Sequence, residues 1–310
     1  MENIPINSFS FELRQEMLVC RQLAGGSLSK TEKLMAAKKE KPSQELAKVD
    51  EQSKALSTEF DNSFADFAGS GMETVEASDI IVPRIGIIQQ ISPQLSRKKP
   101  EFIEGAEAGH IADLGVGEAF GDSILFLPAV YRKEYLEWAP RASGKGLVAI
   151  HQDAAILGKC VRNDKGQMVL KDGNLISETA QFFGFNLHPN ARRRRCFLPM
   201  TSSQLKKARK WMFSATSEVL QRSDGTEFQA PLFYRTYILS VCEESNSQGD
   251  WFGWRVEKSV DLPTYCEAAQ VDFRKFMEDI KVFGDFVRKG RVTIDLEPDA
   301  SDASGDSEVM

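Results

Sequence analysis

Ser123-Ile-Leu-Phe-Leu-Pro-Ala-Val-Tyr-Arg-Lys-Glu-Tyr-Leu-Glu-Trp138 is the stretch on which the fold turns. Ile124, Phe126, Val130, Tyr131 and Tyr135 suit a pleated surface, so the run reads as one long strand. Pro128 cannot donate to a ladder and marks a bulge or bend within it. Downstream, residues 167–172 and 174–177 flank Gly173 and read as a hairpin. The Phe-rich residues 179–187 form a strand, which His188-Pro-Asn-Ala191 turns into another over 193–200. A helix follows, with Ser202 or Ser203 as its cap and Leu205, Ala208, Met212, Ala215 and Val219 at three- and four-residue steps. Ser223-Asp-Gly225 ends it. Strands over 232–241 and 251–256 come next, separated by the turn-rich 243–250. One amphipathic helix is predicted between Pro263 and Arg288, with Phe273, Phe276, Ile280 and Phe283 on one face. Upstream, the run from Ile80 to Ile91 reads as a strand interrupted at Pro83, with a turn at Ser92-Pro93. Residues 100–121 read as loops around one short strand at 110–114.

Three strands, a helix and two strands is the order of an OB barrel, a five-stranded Greek key with a helix commonly between its third and fourth strands. The expected class is therefore mainly β with helices: an OB-like Greek-key barrel with an inserted helix, a C-terminal helix and disordered ends. The expected division is a disordered or weakly helical extension over 1–68, a binding domain over 69–291 and an acidic disordered tail over 292–310. Residues 36–57, rich in Ala, Lys, Glu and Ser, bury too little to offset the entropy of ordering. Met35 begins a stretch that suits the start of a soluble protein, so residues 1–34 are expected to be an upstream extension of the reading frame.

At 310 residues, 42% apolar and 27% charged, the composition excludes a chain disordered throughout, a collagen-like repeat and a disulfide scaffold. No apolar run approaches the ~18–20 residues that span a bilayer, so no membrane partner is expected. The first twenty residues lack the uninterrupted apolar core of a secretory signal. Five cysteines without a CxxC pair suit a reducing cytoplasm and make a structural zinc site improbable.

The net charge of −6 is unevenly spread. Residues 1–68 hold 11 acids and 9 bases, which gives −2. Asp295, Glu297, Asp299, Asp302, Asp306 and Glu308 make residues 295–310 wholly acidic at −6, leaving +2 on the body. A basic body joined to an acidic tail points to nucleic-acid interaction. Arg192, Arg193, Arg194 and Arg195 with Lys206, Lys207, Arg209 and Lys210 put eight bases between residues 191 and 217, where no acid occurs. Four arginines on a strand point alternately to both faces, and burying half of them unpaired is costly. Both faces must then meet water, acids or phosphates. A solvated basic face is the plain reading, and a phosphate-contacting surface the functional one.

Aromatics supply the second ingredient of single-strand binding, because every base offers a face for stacking. Most strand aromatics are core. Tyr131, Tyr135, Trp138, Tyr234 and Trp251 are the stacking candidates, with Arg132, Lys133, Arg141 and Arg235 beside several of them. Lys145 and Arg141, on the Gly-rich connection 141–146, are further phosphate contacts. The acidic tail reads either as a solubilising end or as a polyanion that occupies a cationic groove until nucleic acid displaces it, or docks on partner proteins.

Signals for catalysis are weak. Ser143-Gly-Lys-Gly146 lacks the GxxxxGK[ST] frame of a phosphate loop. His110, His151 and His188 lie far apart without ligand spacing, and their meeting Cys160 and Cys196 around a metal is a remote alternative. No GxSxG elbow occurs. Asp122, Glu134, Glu137 and Glu178 have no spacing that marks a magnesium site. Neither an enzyme nor a cofactor is expected.

Several stretches resemble one class of sequences: Gly69-Ser-Gly-Met-Glu-Thr-Val75, Ile81-Val-Pro-Arg-Ile85, Ser92-Pro-Gln-Leu95 and Pro100-Glu-Phe-Ile-Glu-Gly105. Tyr135-Leu-Glu-Trp-Ala-Pro-Arg141, Gln204-Leu-Lys-Lys-Ala-Arg-Lys-Trp211 and Asp250-Trp-Phe-Gly-Trp254 belong with them. The class is that of tailed-phage early proteins, and the likeness runs over roughly residues 65–260. In organisation the chain is also similar to phage single-stranded-DNA-binding proteins, which pair an OB barrel with an acidic C-terminal tail. It departs from them in ending Glu308-Val-Met310, where their tails commonly end in an aromatic residue. The resemblance implies a non-enzymatic protein that coats single-stranded DNA in phage replication or recombination, in the bacterial host cytoplasm. Its tail would meet replisome or recombination proteins, and a homo-oligomer is compatible with it. A single-strand annealing or nuclease-like replication enzyme, and an adaptor without nucleic acid, are the alternatives.

Overall fold

The computed structural model describes residues 70–71, 81–140, 143–164, 166–246 and 249–294. The chain opens with β1 (Ile81–Val82) and β2 (Ile85–Ile87), parted at Pro83, and then β3 (Ile111–Asp113) and β4 (Glu118–Gly121). The long strand of the sequence follows as β5 (Ser123–Trp138), and after it come β6 (Leu147–His151), β7 (Val161–Arg162), β8 (Met168–Val169) and β9 (Leu175–Asn186). β10 (Arg194–Thr201) leads into helix α1 (Leu205–Thr216) and a small hairpin of β11 (Val219–Gln221) and β12 (Glu227–Gln229). Two long strands, β13 (Arg235–Asn246) and β14 (Gly249–Asp261), precede helices α2 (Leu262–Ala268) and α3 (Phe273–Arg288). β15 (Thr293–Ile294) pairs with β1.

The central antiparallel sheet holds eight strands and is organised by the length of β5 and β9. Towards one end their neighbours give the order β10-β9-β5-β13-β14, and towards the other β6-β5-β9-β8-β7. Successive strand residues point to opposite faces. Both faces are covered over the first part, which explains the unbroken Phe182-Phe183-Gly184-Phe185. Phe182, with Phe126, Leu198, Tyr237 and Trp254, faces α1. Phe183 and Phe185, with Leu127 and Phe197, face α2 and α3. Phe126, Phe182, Phe183 and Phe197 are fully buried, and each such ring contributes ~1.5–3 kcal/mol of transfer free energy. Gly184 is required where β5 and β9 pass the bulge at Pro128, since a Cβ there would lie 2.2 Å from the Leu127 carbonyl oxygen.

The expected barrel is met as a mainly β, curled antiparallel half-barrel with a few helices. No ladder joins β10 to β14 among the described residues; α1 packs between them instead. The edges of β14 and β10 are met by side chains and short bridges. Gln89 bonds both the N–H and the carbonyl of Phe252 at 2.9 Å, and Gln204 accepts the N–H of Trp254 at 3.0 Å. On β10, the Phe197 N–H donates to the Pro83 carbonyl at 3.0 Å.

Several expected boundaries move. α1 stops at Thr216 instead of running past Val219, because the Thr216 and Ser217 hydroxyls turn back onto the carbonyls of Met212 and Phe213. Ser223-Asp-Gly225 is the turn of the β11–β12 hairpin, where Asp224 accepts the Thr226 N–H at 2.9 Å. Ser202 and Ser203 do not cap α1. They lie in a 3-10 turn, and the residue at the cap, Gln204, spends its side chain on β14. The single C-terminal helix is two, α2 and α3, capped by Asp261 and Asp272 and separated at Gln270, whose φ is 53°. The segment over 243–250 belongs largely to β13, which extends to Asn246, and to β14, which starts at Gly249, and the two pair up to those residues. β6 and the 3-10 turn Ala154–Lys159 have no counterpart in the sequence reading. Thr293 and Ile294, expected in the tail, form β15, whereas the extension 1–68 and the acids from Asp295 onward lie outside the described residues.

Candidate nucleic-acid interface

α1 crosses the hollow of the half-barrel because Trp211 anchors it there. The indole stacks on Phe182 with ring centres 3.9 Å apart and meets Tyr237 at 5.1 Å and Phe126 at 6.0 Å. Ala208, Trp211 and Ala215 are buried beneath the helix, which turns Lys206, Arg209, Lys210 and Phe213 outward.

A groove of about 290 Å³ runs between α1 and the β13–β14 pair. Lys207, Lys210, Arg255 and Lys258 stand around it, over Trp211, Tyr237, Cys242, Trp254 and Val256. Two of these charges are already engaged. Lys207 donates to Glu244, which also accepts from Gln204 at 3.0 Å and from the Trp251 indole at 2.9 Å. Lys258 lies 3.3 Å from Glu218, whose main partner is Arg235 at 2.7 Å. The Arg235 bond, helped by Lys258, holds the Glu218 carboxyl below its usual range. Burial pushes the Tyr237 phenol up, so it stays a neutral hydroxyl in the groove floor. Lys210 and Arg255 have no carboxylate partner among the described residues and are the groove's free positive charges.

On the other flank of α1, Arg209 and Lys133 share Glu178 at 3.0 and 2.7 Å. Burial raises the Glu178 carboxyl, but the two cations outweigh it and hold it below the ordinary range. Tyr131 sits beside this cluster, half-buried against Phe182 at 5.1 Å.

The four arginines do not form one surface. Arg192 and Arg193 adopt left-handed φ of 47° and 59° in the turn before β10, and both are exposed. Arg194 is bound to Asp113 at 2.9 Å and Glu118 at 3.0 Å. Arg195 lies over the Phe283 ring at 5.6 Å. The strand thus has its arginines on both faces as expected, but acids and a ring of the fold itself receive them. The eight residues of β10 separate this turn from α1 by about 26 Å at ~3.3 Å per residue.

The remaining candidates divide similarly. Arg132 is structural: it pairs with the buried Glu134 at 2.6 Å and lies over Phe183 at 5.0 Å. Burial pushes the Glu134 carboxyl up, against the opposing pull of Arg132. Lys145 is exposed, and Arg141 lies outside the described residues. Tyr135, expected to stack on bases, is 4% exposed in a small core with Ile156 and Ile176, a correction imposed by the unforeseen turn Ala154–Lys159 that covers it. Trp138 is half-buried at the end of β5. Tyr234 donates to Asp261 at 3.4 Å, under the guanidinium of Arg235.

Three contributors were missed. Phe213 is 75% exposed, three residues from Lys210, and its signal is an aromatic placed off the apolar stripe of α1. Arg255 and Lys258 sit on β14, and nothing local in the sequence announces that β14 faces α1. His110, His151 and His188 remain apart, with His151 bound to Glu137 at 2.7 Å. Among the described residues no group of three His, Cys, Asp or Glu is placed to hold a metal ion, and no helix is long and apolar enough to cross a membrane.

Residues 51–280 match the family of Pam3 phage gp34-like proteins. The chain belongs to that family. It is accordingly a phage protein, as the tailed-phage resemblance implied. No curated protein and no solved structure matches it.

Proposed function

We propose that this Pam3 phage gp34-like chain binds single-stranded DNA without catalysing a reaction, in phage DNA replication or recombination. The observation that carries the reading is the groove beside α1, where Lys210 and Arg255, without a carboxylate partner among the described residues, flank a floor of Trp211, Tyr237 and Trp254 and the exposed Phe213 stands alongside. Cations that track a backbone, next to a ring that a base can cover, are the two requirements of a single-strand site. The strand order β10-β9-β5-β13-β14 with a helix after β10 supports an OB-like half-barrel in which α1 takes the place of the closing contact. Phosphates lie along Lys206, Lys210 and Arg255, and Lys207 and Lys258 join as their carboxylate partners yield.

The acidic tail, with its six carboxylates from Asp295 to Glu308, competes for the same charges or recruits replication partners. Titration with an oligothymidine tests the site directly, because Trp211 and Trp254 line it and report occupancy by fluorescence. Quenching at low salt that fades as salt rises is expected. Unchanged fluorescence at micromolar protein and low salt, together with no shift of the oligonucleotide in a gel, would overturn the reading. Deleting the chain from Asp295 onward should tighten binding; equal or weaker affinity removes the competition.

A further inference from the structure

The two ends of the central sheet treat their edges differently. β14 has the outward backbone groups of Phe252 and Trp254 met by Gln89 and Gln204, and β10 is covered through Pro83 and Arg84. β6 pairs with β5 and with no other strand among the described residues. Its sequence, Leu147-Val-Ala-Ile-His151, carries no Lys, Glu or Pro of the kind that keeps edge strands apart. Val148 and Ile150 are 49% and 42% exposed on one face, beside the buried Leu136 that lies opposite Ile150. An apolar, uncharged edge of this kind is a template for another strand.

We propose that a second copy of this chain occupies the β6 edge, its own β6 running antiparallel about a two-fold axis through Ala149. That register sets Leu147 opposite His151 of the other copy and Val148 opposite its Ile150, so the exposed apolar pair covers itself on both sides of the axis. The flanking charges agree with it. Lys145 and Asp153 are both exposed and stand four positions from Ala149 on either side in the sequence, so the lysine of each copy comes towards the aspartate of the other, one oxygen of which caps the turn Ala154–Lys159 through the Ala155 N–H at 2.9 Å. A slip of one residue would turn Val148 and Ile150 to the opposite face from their partners and lose the match. Five residues a side fall short of the ~800 Å² per partner of a standard interface. The dimer is therefore weak, forming at micromolar concentration or above, and needs no nucleic acid.

Sedimentation of the full chain over a hundredfold range of concentration, without DNA, tests the interface. A monomer–dimer equilibrium is expected, and Ile150→Lys should abolish it while leaving the thermal transition in place. Lys145→Glu should weaken the dimer several-fold, and Lys145→Glu combined with Asp153→Lys should restore it. Register is read by cross-linking: Ala149→Cys faces its own copy within ~4.5–5.5 Å and should oxidise to a covalent dimer. Val148→Cys faces Ile150 and should behave like the parent chain with its native cysteines. A monomer at every concentration, a dimer indifferent to Ile150→Lys, no rescue by charge reversal, or equal cross-linking at positions 148 and 149 would each overturn the proposal.

Discussion

Replacing Lys210 and Arg255 together by glutamine isolates the electrostatics of the groove from its shape. Among the described residues both side chains are free of carboxylate partners, so their removal strands no acid there and leaves the packing of Trp211 intact. Each phosphate neutralised contributes about 0.7 to the slope of log affinity against log salt for a single strand. Losing two contacts should lower that slope by about 1.4. Over a fourfold rise in salt, from about 50 to 200 mM, each contact accounts for about 2.6-fold in affinity and the pair for about sevenfold. The parent should thus lose about seven times more affinity than the double variant across that range, measured by fluorescence titration with an oligothymidine. Lys133→Gln is the control, since Glu178 already holds its charge on the opposite flank of α1. A double variant with the parental slope, or a control that lowers the slope as much, would refute the placement of the strand beside α1.

Phe213→Ala removes a ring that is 75% exposed, so it should cost ~1–3 kcal/mol in binding with no change in thermal stability; a drop in stability without a drop in affinity would count against the stacking role. Gly184→Ala drives a Cβ to 2.2 Å from the Leu127 backbone and 2.7 Å from the Phe126 ring, which cannot both yield, and should cost at least about 3 kcal/mol in denaturant unfolding. His188 is buried against Phe120, and burial pulls its pKa down to about 4. The unfolded chain therefore takes up a proton between pH 6.5 and 4 that the folded chain refuses, so stability is complete above about pH 6.5 and falls with acidification, by up to about 3 kcal/mol at pH 4. His188→Asn, which keeps an acceptor for the Asn190 N–H, should flatten that part of the stability–pH curve; an unaltered slope would show that other groups set it.

The long strands were legible because β5 and β9 are rich in β-branched and aromatic residues, and because aromatics on both faces need no alternation. The helix α1 was legible through its stripe, and with it the outward placement of Lys206 and Lys210. What escaped depends on partners far away in the chain. Arg194 reads as a free cation until β3 and β4 bring Asp113 and Glu118 to it across 81 and 76 positions. Tyr135 reads as exposed until residues 154–159 fold over it. The end of α1 escaped for the opposite reason, being set by hydroxyls that bond back within a single turn while the apolar spacing runs on to Val219.

The order in which the strands are made gives β5 an awkward youth. Its residues 123–126 leave the ribosome early, yet the segment that zips against them, Tyr237–Ser240, lies 111 positions later at the Phe126–Tyr237 pair. At ~5–20 residues per second that is a wait of roughly 6–20 s, during which β9 arrives on one side while the other edge of Ile124 and Phe126 stays open. α1 emerges about three-quarters of the way through that wait and can shelter those rings through Trp211 before β13 arrives. A helix that plugs the finished half-barrel thus doubles as a temporary cover for the unfinished one, and substitutions at Trp211 should show themselves first as insoluble nascent protein.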